Sequence, residues 1–396
     1  MVNGRLRPWL LLLGLFCSGL SAAEINQVYT GTLGKMPIVL ELQLDNPGEV
    51  SGRYFYTQYH RDLALGGTLE GDRLSLDEGQ DDYQNTPRPK LNLTRDGVAG
   101  WKGQWLGPKG KALEVRLSSA QLPPVPAGAD PFWARLRDRY PYEYLRLLQL
   151  PLADGKHQTF MGDELKWLRE PESNITFFEI LSGYSADQLA RINPVLRARL
   201  WREVISYHEC MLNSSRFGEG DFEQTVTPTF FSPAVVSVSV FTSFFCGGAH
   251  PDFGDEPLNL NVETGKALTL EDVLWLGEGQ PFHYDRPDDG SEAAAGDVTF
   301  DTYSSYREKY FAPWLVQQFK TLYPEEMKKP ADENDCDYSD PQIWNFPTWH
   351  FTDKGLYVGP SFARVMRACE SPEWSVVPWS VIRQHPGGVK LELPQN

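Results

Sequence analysis

The chain reads as an α+β protein, in which a small antiparallel β-barrel-like domain precedes a mixed α/β domain with helices packed on an antiparallel sheet. Three observations predict it. Residues 25–119 alternate short apolar or β-branched runs with Gly, Asp and Asn turns, the pattern of an antiparallel all-β unit. A joint rich in Pro123, Pro124, Pro126, Gly128 and Pro131 follows, and its missing N–H donors keep it out of a sheet. Beyond it, helical four-residue spacings mix with strand-like alternation. These shifts divide the chain into residues 1–23, a barrel-like domain over 24–119, a linker over 120–132 and an α+β domain over 133–396.

Residues 1–23 have the composition of a signal peptide. Arg5 and Arg7 supply the positive start, Trp9 to Leu15 with Phe16 the apolar core, and Ser21-Ala22-Ala23 the small-residue cleavage site. The apolar run is shorter than the roughly 20 residues that span a bilayer. The expectation is therefore a periplasmic protein beginning at Glu24 that does not cross the membrane. Lipid attachment at Cys17 is disfavoured by bulky Phe16 before it.

In the first domain eight strands are expected: Gln27–Leu33, Ile38–Leu44, Glu49–Thr57, Leu63–Leu69, Arg73–Leu76, Pro89–Thr94, Gly97–Trp105 and Ala112–Leu117. Gly71-Asp72 and Asp96-Gly97 mark turns, and closure of the meander into a barrel removes its free edges. In the second domain Asn193-Pro194 has the form of an N-cap and first-turn proline, with Leu196, Leu200 and Val204 on one face of a helix running to about Met211. A second helix is expected within Tyr303–Leu322, kinked or split by Pro313. Thr269-x-x-Asp272 has the shape of a capping box. Strands are expected at Val235–Phe245, where Val236, Val238 and Val240 alternate with Ser237 and Ser239, and at Leu258–Val262, Thr348–Phe351, Leu356–Val358 and Trp374–Ile382.

Of 396 residues, 41% are apolar and 13% aromatic, enough to fill two or three cores. The 37 basic and 53 acidic residues give a net charge of −16. Removing residues 1–23 takes away two arginines and no acid, which leaves −18. No basic block exists to neutralise phosphates, which argues against nucleic acid as a partner. The same charge suits cationic partners and serves solubility equally well.

Cys210, Cys246, Cys336 and Cys369 form an even set in a chain with an export signal, so two disulfides are expected. Of three pairings, Cys210–Cys246 with Cys336–Cys369 joins the partners nearest in sequence. The absence of any C-x-x-C pair speaks against zinc.

The standard signatures of hydrolases, zinc peptidases, phosphate loops and dinucleotide folds are missing, which points away from an enzyme and from any metal or cofactor. The densest constellation is Cys246-Gly247-Gly248-Ala249-His250-Pro251, after the strongest strand signal. Its glycines permit positive φ or close approach, and Pro251 biases His250 towards extended backbone. Gly247, Gly248, His250 and Pro251 are thus the candidate binding residues, unless the loop is a bulge with an internally bonded histidine. His208 and Glu209 sit near a helix end, where the dipole alone favours histidine. The acidic runs Asp332–Asp337 and Asp285–Glu292 offer oxygen ligands without the pattern of a calcium loop. Trp344, Trp349, Trp374 and Trp379, with Tyr357, fit core filling better than sugar stacking.

Phe244–Pro251, Leu258–Lys266, Leu268–Leu274 and Phe351–Leu356 together resemble an exported family of uncharacterised domains. It includes the extracellular domain of RsiV-type anti-sigma factors and the non-catalytic region of PdaC-type peptidoglycan deacetylases. The resemblance covers about residues 140–383 and is most specific from Thr225 to Ile382. The N-terminal β unit resembles a recurrent small domain of exported bacterial proteins, through Tyr29-Thr30-Gly31-Thr32 and Gly103-x-Trp105. The resemblance implies an envelope protein without known catalytic residues in this domain, and RsiV-type members bind the cationic protein lysozyme. This chain departs from them in having neither a transmembrane helix nor a sigma-binding segment, and it has no deacetylase domain. The expectation is a non-enzymatic recognition protein for a cationic protein such as lysozyme or for a peptidoglycan fragment. The alternative is a metal-assisted hydrolase of cell-wall or other polysaccharide acting through His250 with Asp252 or Asp255.

Overall fold

The computed structural model describes residues 27–46, 48–79, 87–215, 217–218, 220–282, 284, 298–332 and 334–395. The expected signal peptide, Cys17 and the acidic run Asp285–Glu292 lie outside the described residues. The described residues of Met1–Tyr54, Ala64–Glu78 and Arg88–Ala120 form one compact unit; those of Phe55–Leu63, Gly79–Pro87 and Gln121–Asn396 form the other.

Eight antiparallel strands, β1 (Gln27–Leu33), β2 (Met36–Asn46), β3 (Glu49–Tyr56), β4 (Asp62–Glu70), β5 (Arg73–Glu78), β6 (Lys90–Asp96), β7 (Gly100–Leu106) and β8 (Ala112–Ser119), close into a barrel in sequence order. Period-two patterning places Leu74 and Leu76, Leu91 and Leu93, and Val115 and Leu117 in its core. Glycine allows the wall to close tightly at two places: a Cβ on Gly31 would lie 1.9 Å from the Arg116 carbonyl oxygen, and one on Gly103 2.0 Å from that of Asn92. The half-buried Glu78 accepts hydrogen bonds from Tyr54 Oη and Trp105 Nε1, both 2.6 Å.

The segment from Ala120 to Asp130 carries neither helix nor strand, and α1 (Pro131–Arg139) begins within the expected linker, followed by α2 (Pro141–Leu147). A three-stranded sheet of β9 (Ala153–Phe160), β10 (Asp163–Arg169) and β11 (Thr176–Ile180) comes next. The long α3 (Ala186–Ser214) corrects the expected helix start. A capping box of Ser185 and Gln188 opens it, and Pro194 lies inside. Asn193 is not the cap: its Oδ1 accepts from the Ile180 N–H and its Nδ2 donates to the Ile180 carbonyl, both 2.9 Å, so the amide extends the edge of β11. The stripe Leu196, Leu200 and Val204 is buried as its spacing requires.

β12 (Asp221–Phe231) and β13 (Val235–Phe245) form a long hairpin, and β13 also pairs with β14 (Asp252–Asp255) and β15 (Leu258–Asn261). Next come the capped turn α4 (Leu270–Val273), α5 (Phe300–Tyr306), a π-helical turn Arg307–Phe311 and α6 (Ala312–Leu322). The helix is therefore interrupted just ahead of Pro313, whose missing N–H suits a π-turn. A sheet of β16 (Thr348–Phe351), β17 (Gly355–Gly359) and β18 (Val376–Pro378) precedes α7 (Trp379–Ile382). The single strand expected over Trp374–Ile382 is thus three residues of strand running into a helical turn.

This unit has two hydrophobic cores. One gathers α3, β10, β11 and the Val236, Val238 and Val240 side of β13; the other gathers α6, β16, β17 and α7 around Phe319, Trp344, Phe351 and Trp379. Between them lies the fully buried Ser237, which donates to Asn259 Oδ1 (2.6 Å) and accepts from Thr229 Oγ1 (3.0 Å) and the Phe351 N–H (3.0 Å). Asn259 Nδ2 donates in turn to the Trp349 carbonyl at 3.0 Å. Elsewhere in the unit, the fully buried Arg146 lies 2.6 Å from Asp62 and 3.2 Å from Glu143. Burial opposes its charge, but the Glu143 and Asp62 carboxylates outweigh that and raise its pKa.

Ser237→Ala removes the hydroxyl that bonds three polar groups, two of them buried. It should destabilise the unit by about 3 kcal/mol in urea unfolding; a loss below about 1 kcal/mol would mean that water takes over the hydroxyl's bonds.

Candidate functional site

The Cys246–Pro251 segment connects β13 to β14. Cys246 is disulfide-bonded to Cys210 of α3, and Gly247 and Gly248 follow at φ +91° and +106°. Glycine is required at Gly247 on space as well as φ, since a Cβ there would meet the Phe217 ring at 2.8 Å and the Asn213 carbonyl oxygen at 2.9 Å. His250 is exposed, with Nδ1 2.8 Å from the Pro251 carbonyl oxygen and within reach of the Arg364 guanidinium.

Asp252 pairs with Arg367, which also bonds Glu370 at 2.9 Å and stacks 4.6 Å from the Phe253 ring centroid. Asp255 lies apart from both: it accepts from Ser239 Oγ at 2.9 Å and the Val240 N–H at 3.0 Å. Burial raises its pKa, against the lowering effect of those bonds. His250 and its two nearest candidate carboxylates are thus committed to three separate sets of contacts. Asp255 bonds within the hairpin, whereas His250, Asp252 and the Phe253 carbonyl contact the 3₁₀ turn Arg364–Cys369, which the second disulfide, Cys336–Cys369, holds at its far end. Among the described residues no group of three or more His, Cys, Asp or Glu is placed to hold a metal ion.

His208 is buried against Tyr207, at a ring separation of 5.3 Å, while Glu209 is exposed. In the acidic loop Asp332 accepts from the Asn334 backbone and side chain, which lowers its pKa, and Asp337 accepts from Ser339. Trp344 and Trp379 are buried, and Trp349 and Trp374 pack partly buried against the same core.

An aromatic face on α5 and the turn after it escaped the sequence reading. Phe300, Tyr310 and Phe346 are 54%, 42% and 42% exposed. Phe300 stacks on Phe346 at 5.9 Å, Tyr303 lies 5.8 Å from Phe346 and stacks on Tyr284 at 4.4 Å, and Tyr306 stacks on Trp275 at 4.4 Å. Beneath them the buried Arg307 pairs with Glu271 at 2.8 Å and lies 5.1 Å from the Tyr303 ring and 4.6 Å from that of Phe311. Burial pushes the Tyr303 and Tyr306 hydroxyls above the usual range, so both remain neutral. Asp301 and Glu308 are exposed on the same helical run. The only signal available beforehand was the spacing of Phe300, Tyr303 and Tyr310, which equally fits a core stripe.

No protein-family model matches the chain, and no curated protein matches it. Among the described residues no helix is long and apolar enough to cross a membrane.

A half-buried titratable pair lies on the β16–β17 sheet. His350 stacks on Tyr357 across the strands at 4.6 Å; burial lowers the imidazole to about 4 and pushes the phenol up to about 12. The folded chain keeps His350 neutral down to about pH 4, whereas an unfolded histidine takes its proton near 6.5. The unfolded state therefore binds the extra proton between these values, and stability that is complete above 6.5 is lost as pH falls. At about pH 4 the protein should have lost about 3 kcal/mol more, relative to neutral pH, than a His350→Phe variant in parallel urea titrations. Parallel pH profiles for the two proteins would refute the assignment.

Proposed function

We propose that the chain is a non-enzymatic recognition protein of the cell envelope, exported to the periplasm, whose ligand is a cationic protein such as lysozyme. The observation that carries this reading is the aromatic face of Phe300, Tyr303, Tyr310 and Phe346 with Asp301 and Glu308 on the same helical run. Aromatic anchors surrounded by charge are the composition of protein-binding hot spots. A chain of net charge −16 steers cations towards such a face. The resemblance to the RsiV-type extracellular domain supports the same ligand class, and the basic, apolar leader of residues 1–23 supports export. The contacts at His250 support this reading too, because its clamp to Arg364 and the 3₁₀ turn serves to fix the hairpin.

Calorimetric titration with lysozyme at low and at high salt tests the proposal. Binding is expected at low salt and should weaken as salt rises. A Phe300→Ala/Phe346→Ala variant should weaken it by at least about tenfold, as loss of two anchors does. Absence of heat at both salt concentrations would eliminate lysozyme. Salt-insensitive binding of a muropeptide at the same aromatic face would reassign that face to a peptidoglycan fragment, whose sugars stack on aromatic rings.

A further inference from the structure

The segment after α7 borders a cleft of about 900 Å³, whose opposite wall includes Ser232, Pro233, Val273 and Ile382. Val389, Leu391 and Leu393 are half-buried against the second core, and Lys390 and Glu392 between them are exposed. That alternation is the period of an extended chain. The N–H groups of Gly387, Gly388 and Val389 donate to the carbonyls of Val273, Glu271 and Asp272 at 3.1, 2.9 and 3.0 Å. Arg383 holds the other end through the Pro394 carbonyl. Between these anchors the backbone groups of Lys390 to Leu393 have no hydrogen-bond partner among the described residues, and Lys390 and Glu392 form no ion pair there. The segment is therefore tied at both ends, with the backbone groups between the anchors open to a partner.

We propose that this segment is a dimerisation strand, on which Val389–Leu393 pairs antiparallel with the same residues of a second copy about a two-fold axis at Leu391. The occupant follows from the sequence of the segment itself. In that register Lys390 stands opposite the partner's Glu392 and Glu392 opposite the partner's Lys390, while Val389 meets the partner's Leu393. Every charged side chain finds the opposite charge and every apolar one an apolar partner, the self-complementarity that a two-fold interface requires.

The backbone agrees with this register. The N–H and C=O groups of Lys390 and Glu392 have no partner among the described residues and are available to a second strand. Those two residues become the hydrogen-bonded pairs of the ladder, and Leu391 with its symmetry mate becomes the closer, non-hydrogen-bonded pair. Pro394, which has no N–H, ends the ladder.

Charge reversal in sedimentation experiments tests the register. Lys390→Glu sets two acidic pairs across the two-fold axis and Glu392→Lys two basic ones, so each should weaken dimerisation by about tenfold or more. A mixture of the two variants should dimerise as the wild type does, because every acid then faces a base. Leu391→Cys should form an intermolecular disulfide on mild oxidation, since a non-hydrogen-bonded antiparallel pair lies within bridging distance, whereas Val389→Cys should not. The proposal is overturned by a protein that is monomeric throughout with no trapping of Leu391→Cys, by trapping equal at both positions, or by a dimer indifferent to both charge reversals.

Discussion

The second unit depends on Ser237. Strand β13 is buried on both faces at its Val235–Val238 end, with valines on one side entering the first core and Ser237 on the other bonded to the backbone of β16. A strand in that position must bring its polar face into a dry interior, where each unpaired group costs free energy. Ser237 meets the requirement by using its hydroxyl to full capacity, one bond donated and two accepted. One of the accepted bonds comes from the backbone of β16, which fixes the register of a separate sheet against β13. The packing of Phe351 and Trp379 at 5.8 Å in the second core is therefore set by a polar contact at its boundary.

The two disulfides act on the same architecture from outside the cores. Cys210–Cys246 ties the end of β13 to α3, and Cys336–Cys369 ties the 3₁₀ turn to the loop that leads to Trp344. Between them Arg364 and Arg367 bind the β13–β14 connection through His250, Asp252 and the Phe253 carbonyl. A segment cross-linked at one end through Cys246 and contacted by two arginines beyond it has little freedom to reorganise around a reacting group. This fits a fixed recognition element better than a nucleophile or base that must exchange partners during a reaction.

How much of this was legible in the sequence varies with how local the cause is. The barrel strands were readable because turn chemistry and period-two burial are local, and Cys210–Cys246 with Cys336–Cys369 followed from proximity in sequence. The beginning of α3 was not. Asn193-Pro194 carries the local signature of a helix start, but its amide is engaged by the edge of β11, and Ser185 with Gln188 caps the helix earlier. β9, β10 and β11 also escaped, since β9 is largely exposed and polar and shows no alternation. Nor does anything in the Val-Ser alternation of β13 tell that its serine face is covered. The aromatic face was invisible for the converse reason: exposed and buried aromatic stripes have the same spacing, and only the fold decides which of them meets solvent.

That face is also rigid in a way that bears on its use. Phe300 and Phe346 come from different elements and stack on each other, and Tyr303 is fixed between Phe346, Tyr284 and the Arg307 guanidinium. Arg307 is itself held by Glu271 of α4, next to the capping box that closes that turn. An exposed ring held in this manner loses little conformational freedom when a partner covers it, so a larger share of its burial appears as affinity. Rings free to rotate would bind less tightly for the same area. On the proposed reading, the buried ion pair beneath the face is a positioning device that orders the aromatic surface ahead of a ligand, a task in which the acidic side chains on the same helical run have no part.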